Sequence, residues 1–173
     1  MLTLIIGGAG SGKSAFAEAL LAKSGCLDKI YIATMDPWGE EAKARIRRHR
    51  AMRRDKGFAT VERFVSLSGL RVPKGAAVLL ECVGNLAANE LFSPGGAGKD
   101  AVAAIVGGVD ALCARAGDVI VVANDVFSDG VEYDGETETY RRVMAEATAQ
   151  ISHRADRVAE VVCGIPIVHK GEF

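Results

Sequence analysis

A glycine-rich turn near the start of the chain restricts the possible folds more than any other feature. Leu2 to Ile6 is an apolar run with β-branched residues, and Gly7-Gly8-Ala9-Gly10-Ser11-Gly12-Lys13-Ser14 follows it directly. The next segment, AFAEALLAK, has the composition of a helix. Together they give G-x-x-x-x-G-K-[ST] in its strand, loop and helix setting, the pattern of a phosphate-binding P-loop. Each residue type has a physical task in such a loop. Glycines let the backbone curl so that successive N–H groups converge on phosphate oxygens. The helix start adds unpaired donors and the positive end of its dipole. The Lys13 ammonium is placed to reach β- and γ-phosphates, and the Ser14 hydroxyl to ligate Mg²⁺.

The rest of the chain alternates strand-like and helix-like segments. Lys29 to Ala33 is a second apolar run, and Thr34 to Gly39 is a loop broken by Pro37 and Gly39. Glu40 to about Asp55 lacks Gly and Pro, with an acidic start and a basic end, and is expected to be helical. FATVERF alternates as a short strand does. Ala76 to Glu81 and Asp118 to Ala123 are continuous apolar runs, as expected for strands of a parallel sheet covered on both faces. Helices are expected after Glu81 through Leu91, over Asp100 to Ala114 despite Gly107-Gly108, and from Glu136 to about Ala155. Arg157 to Val162 and Ile165 to His169 read as closing strands around Gly164. This order predicts an α/β three-layer fold, with a mostly parallel sheet and helices on both faces. Ligands of such folds bind at the carboxyl ends of the strands, where Gly7, Thr34, Glu81 and Asn124 fall.

Length and composition narrow the class. The 173 residues contain no repeat or linker, so one nucleotide-binding domain spanning 1–173 is expected. A net charge of -1 gives no general case for nucleic acid or an anionic membrane. Cys26, Cys82, Cys113 and Cys163 are scattered without a CxxC, and read as reduced, small core residues. No stretch approaches a membrane span and the first apolar run is too short for a signal peptide, so a cytoplasmic location is expected.

Three groups of residues carry possible chemistry. Glu81 ends an apolar strand where P-loop proteins place a carboxylate that holds Mg²⁺ or orients a nucleophile. His49 lies among Arg45, Arg47, Arg48, Arg50, Arg53 and Arg54. That segment reads either as a solvated charged face or as a phosphate-binding one. In the second case the cations would keep the imidazole neutral and able to attack phosphorus. Asp125, Asp129, Glu132 and Asp134 form an acidic stretch, read either as a solvated loop or as contacts to a metal or an amide-rich substrate. His153 and His169 have no comparable setting and are taken as structural.

An ordered set of short matches runs through most of the chain: GGAGSGKS at Gly7–Ser14, YIAT at Tyr31–Thr34 and RIxxH at Arg45–His49. TVE at Thr60–Glu62, LLEC at Leu79–Cys82 and Asn124 continue it. In this order the chain resembles the bifunctional adenosylcobinamide kinase/adenosylcobinamide-phosphate guanylyltransferase family of cobalamin biosynthesis, and looks like a divergent member. The resemblance implies a RecA-like P-loop fold and a homotrimer. It also implies a two-step enzyme using ATP or GTP with Mg²⁺ and a corrinoid substrate, adenosylcobinamide. The corrinoid hydroxyl is first phosphorylated. His49 then takes GMP from GTP as a guanylyl-histidine and passes it to the phosphorylated corrinoid, giving adenosylcobinamide-GDP.

By this resemblance His49, Lys13 and Glu81 are the expected catalytic residues. Gly7, Gly8, Ala9, Gly10, Ser11, Gly12, Lys13, Ser14, Ala33, Thr34, Met35, Arg50, Arg53, Glu62 and Glu81 are expected to bind nucleotide, and Ser14 and Glu81 to hold Mg²⁺. Two other readings compete: a P-loop kinase for a different small molecule without guanylyl transfer, and a non-catalytic nucleotide-binding paralogue. The family's N-E-V-G-x-G-I-V-P stretch reads Asn124-Asp125-Val126-Phe127-Ser128-Asp129-Gly130-Val131-Glu132 in this chain. Divergence therefore concentrates after the fourth strand, away from the triphosphate loop.

Overall fold

In the computed structural model, residues 1–37, 39–40, 44, 46–47, 56–127, 130–131 and 133–173 are described. Strands β1 (Leu2–Gly7), β2 (Lys29–Ala33), β3 (Ala59–Glu62), β4 (Ala77–Glu81), β5 (Asp118–Asn124), β6 (Arg157–Val162) and β7 (Ile165–Lys170) form one sheet. Their order is β3-β2-β4-β5-β1-β6-β7. Every pairing is parallel except β6 with β7, which form an antiparallel hairpin. Helices α1 (Lys13–Lys23), α2 (Val83–Phe92), α3 (Ala101–Cys113) and α4 (Gly135–Arg154) complete the layers. The three-layer α/β P-loop arrangement expected from the sequence is present. Gly39, Glu40, Ala44, Ile46 and Arg47 are helical; the remainder of the helix expected over 40–55 lies outside the described residues.

The strand periodicity explains the layering. Alternate residues of each strand face opposite sides of the sheet. Leu2, Leu4, Ile30, Ile32, Val78, Leu80, Val119 and Val121 pack with α2, α3 and α4 in one apolar core. Ile5, Tyr31, Leu79, Ile120 and Val122 face the other way and pack with Ala17 and Leu21 of α1. The central strands β4 and β5 are buried on both faces, which is why they read as unbroken apolar runs.

Connections matter where they fix strand ends. The Thr34 hydroxyl lies 2.9 Å from the Glu81 carbonyl and 3.0 Å from the Cys82 carbonyl, and it accepts the Cys82 N–H at 2.8 Å. Thr34 N–H donates to the Glu81 carbonyl. Asn89 on α2 donates its amide to the carbonyls of Thr34 and Phe64. The ends of β2 and β4 are thereby held together through buried polar groups that satisfy one another. All four cysteines are free thiols, as composition suggested, but they are not all core residues: Cys82 is buried, Cys26 and Cys113 are half-buried, and Cys163 is exposed in the β6–β7 turn.

Candidate functional site

The site is built at the carboxyl ends of β1, β2, β4 and β5. β1 ends in Gly7 and feeds the loop into α1. A Cβ on Gly7 would lie 2.6 Å from Ser11 Oγ and 2.7 Å from the Val161 carbonyl, so the turn can leave the sheet there only as glycine. Gly12, the residue before α1, has φ +93°, and a Cβ on it would lie 3.1 Å from Gly164 Cα of the β6–β7 turn. Gly164 N–H also donates to the Ser11 carbonyl. The hairpin therefore supports the loop from behind, leaving its inner side open to the cavity. Lys13 is buried at the first position of α1 and donates to the Gly8 carbonyl at 3.0 Å, across the loop.

Glu81 reaches the same loop from β4, two strands away from β1, with β5 between. Ser14 Oγ donates to Glu81 Oε1 at 2.7 Å. Burial pushes the Glu81 carboxyl above the usual carboxylate range. The Ser14 hydrogen bond pulls it down, the Glu18 carboxylate pushes it up, and the Lys13 ammonium pulls it down. Ser14 Oγ and the Glu81 carboxylate are adjacent hard oxygen donors, the type Mg²⁺ takes alongside substrate phosphates. Among the described residues no group of three His, Cys, Asp or Glu side chains is placed to cage a metal. Such a pair therefore suits an ion shared with phosphate rather than one held by protein alone.

A cavity of about 450 Å³ opens over these residues. Of the residues expected from sequence, it brings together Ala9, Gly10, Ser11, Gly12, Lys13, Ser14, Ala33, Thr34, Met35, Glu62 and Glu81. Gly7 and Gly8 shape the loop from behind this wall. Thr34 lines the cavity, yet its hydroxyl is committed to the backbone of Glu81 and Cys82. His49, Arg50 and Arg53 lie outside the described residues. Of the acidic stretch, Asp125 Oδ1 accepts the Phe127 N–H and Asp134 precedes α4, while Asp129 and Glu132 lie outside the described residues.

The cavity also recruits residues outside the set expected to bind nucleotide, among them Asn124, which the sequence places only at a strand end. Glu18 on α1 and Lys56 form a short ion pair at its edge, and Ile46 and Tyr31 contribute apolar wall. Glu18 is nearly buried, and nothing in a helical stretch such as AFAEALLAK marks which carboxylate will be. Cys82 and Asn85, which follow Glu81, and Val122 and Asn124 on β5, between β1 and β4, complete the lining. Burial pushes the Cys82 thiol up, so it stays protonated, and it accepts the Asn85 N–H at the start of α2.

Comparison with known proteins agrees with this geometry. The family model for cobinamide kinase / cobinamide phosphate guanyltransferase matches residues 3–168. The chain is 34% identical to the bifunctional adenosylcobalamin biosynthesis protein CobU of Escherichia coli (strain K12), over 96% of this chain and 98% of that one. It is also 34% identical to the bifunctional adenosylcobalamin biosynthesis protein CobP of Pseudomonas aeruginosa, over 99% of both chains. Among solved structures, flagellar accessory protein FlaH from Methanocaldococcus jannaschii is similar at a TM-score of 0.44 and 10% identity, covering 99% of this chain and 78% of that one. The chain belongs to the cobinamide kinase / cobinamide phosphate guanyltransferase family. It is a bifunctional enzyme of adenosylcobalamin biosynthesis.

Proposed function

Taking that membership as the premise, we propose that both reactions use the one cavity, with the P-loop as a common anchor and two different phosphorus atoms under attack. The observation that carries this reading is the composition of the cavity wall. It is lined at once by the P-loop, by Glu81, and by Ile46 and Lys56, which flank His49 in sequence. His49 follows Ile46 by three residues, and three residues span at most about 11 Å. Chain length therefore lets His49 reach a nucleotide held by the loop.

In the kinase step, backbone N–H groups of residues 10–14 and the Lys13 ammonium hold the triphosphate of ATP or GTP. The corrinoid hydroxyl oxygen attacks the γ-phosphorus, its bond to the β–γ bridging oxygen breaks, and a nucleoside diphosphate leaves. Glu81 orients the hydroxyl for attack and accepts its proton as the new P–O bond forms. Ser14 and Glu81 would hold Mg²⁺, which when bound neutralises phosphate charge. In the guanylyl step, the His49 imidazole attacks the α-phosphorus of GTP and pyrophosphate leaves. The corrinoid phosphate oxygen then attacks the guanylyl phosphorus, the P–N bond breaks, and the imidazole is regenerated. Ala33, Thr34, Met35, Arg50, Arg53 and Glu62 complete the nucleotide site in this reading.

Assembly and location follow the same reading. The β7 edge strand exposes Ile165, Ile167 and Val168, an apolar edge that a second copy of the chain would cover. A homotrimer is the expected assembly, by family resemblance. No helix among the described residues is long and apolar enough to cross a membrane, which agrees with a cytoplasmic enzyme acting on soluble substrates.

The test is incubation with α-labelled GTP and Mg²⁺, without corrinoid. An acid-labile, alkali-stable label that disappears in His49→Ala supports the guanylyl-histidine. Label retained in His49→Ala overturns that assignment.

A further inference from the structure

The cavity wall is chemically uneven. Its loop part is cationic and rich in N–H donors, as a triphosphate requires. At the end of β5, between the loop strand β1 and Glu81 on β4, and at the start of α2, the wall is polar but uncharged, formed by Asn124, Asn85 and Cys82. Asn85 stands in the first turn of α2, and Asn124 ends β5 opposite Gly7 in register. Among the described residues neither side-chain amide has a hydrogen-bond partner within the protein, although both line the cavity and both are only partly exposed. Both amides can therefore bond to a ligand that enters the cavity.

We propose that Asn85 and Asn124 are the residues that bind the corrinoid acceptor and set its hydroxyl beside Glu81. The acceptor hydroxyl is neutral and both donates and accepts, and a carboxamide offers both functions without adding charge next to a triphosphate. A charged side chain in this part of the wall would compete for the phosphates or pair with the Glu81 carboxylate. The geometry around Gly84 supports the assignment. A Cβ on Gly84 would meet Tyr140 Oη at 3.0 Å and Asn124 Nδ2 at 3.4 Å. Glycine at that position leaves room for the α4 phenol and the β5 carboxamide against the start of α2. The proposal rests on the cobinamide kinase activity, not on the guanylyl-histidine.

Cobinamide phosphorylation at saturating nucleotide, with cobinamide varied, tests it in Asn85→Ala and Asn124→Ala. Loss of one neutral hydrogen bond predicts a KM for cobinamide raised about three- to tenfold in each. The nucleotide Kd, read with a fluorescent triphosphate, should stay within twofold in the same variants. Thermal melting of each variant separates a binding defect from misfolding, and Asn85→Ala alone serves if Asn124 variants do not fold. Cobinamide KM unchanged within twofold in both alanine variants would overturn the proposal. So would a nucleotide Kd that rises in step with it. Because the readout is kinase turnover, failure of the His49 assignment leaves this comparison intact.

Discussion

The hydrogen bond from Ser14 to Glu81 joins the P-loop helix to the strand two positions away, and its removal should have a pH signature. Ser14 Oγ donates to Glu81 Oε1 at 2.7 Å, the short distance expected of a hydroxyl bonded to a carboxylate. Burial already pushes the Glu81 carboxyl up, and the Ser14 bond is the largest influence pulling it back. In Ser14→Ala the buried carboxylate loses that donor, at a cost of about 1.5–3 kcal/mol for a hydrogen bond to a charged group. For a chain of this size, each 1 kcal/mol moves Tm by about 2–4 °C, so a fall of roughly 3–12 °C is expected at about pH 8. The sign with pH follows from linkage. A raised carboxyl makes the native state bind its proton more tightly than the unfolded chain, so Glu81 withholds most stability after pH has risen through the native pKa. Ser14→Ala raises that pKa further, so its cost grows with pH and shrinks at about pH 4, near the ordinary carboxylate value. Glu81→Gln keeps an acceptor for Ser14 and removes the buried charge. It should stabilise the nucleotide-free protein at pH 8 and reduce the cost of Ser14→Ala to about 1 kcal/mol, that of a neutral bond. Denaturant melts of the two single variants and the double variant at both pH values form the cycle. An equal Ser14→Ala cost in both backgrounds, or one independent of pH, would refute the reasoning.

Other expectations rest on separate contacts. Gly107 and Gly108 are neighbours in α3 with opposite surroundings. A Cβ on Gly107 meets nothing within 4 Å, whereas one on Gly108 would lie 2.6 Å from Leu67 Cβ. Gly107→Ala should stabilise by about 0.5–1 kcal/mol through helix propensity, and Gly108→Ala should destabilise by about 1–3 kcal/mol through overpacking. Thermal melts giving both the same sign would contradict this packing. Thr34→Val removes the acceptor for the buried Cys82 N–H and should cost about 1–3 kcal/mol, while Thr34→Ser should recover most of it. If Thr34→Val lost nucleotide affinity with an unchanged melt, the hydroxyl would be a ligand rather than a tie between β2 and β4.

Local chemistry made much of this molecule legible before its structure. The P-loop needs glycines, a lysine and a serine within eight consecutive residues, so its function is written in sequence. Runs such as Ala77–Glu81 and Asp118–Asn124 announced buried parallel strands, because only a strand covered on both faces is apolar at every position. What stayed hidden depends on distant pairings. Thr34 read as a strand-end ligand, whereas its hydroxyl serves a backbone 48 residues away. Asn85 and Glu18 gain meaning only when α2 and α1 turn particular faces to the cavity. Gly107-Gly108 read as a weakness in a helix, yet Gly108 makes room for Leu67, which no local pattern signals. His49, the nucleophile proposed for the second reaction, was singled out by its arginine setting and the RIxxH spacing alone, and lies outside the described residues.

In the proposed reading, one loop anchors two different cuts of a nucleotide. Lys13→Ala and His49→Ala, each assayed with γ-labelled and α-labelled GTP in the presence of cobinamide, test it most directly. Lys13→Ala should lower γ-phosphoryl transfer and guanylyl transfer together, because both need the same held triphosphate. His49→Ala should abolish guanylyl transfer and leave phosphoryl transfer running. A Lys13→Ala enzyme that loses one reaction while keeping the other at the wild-type rate would contradict the shared anchor.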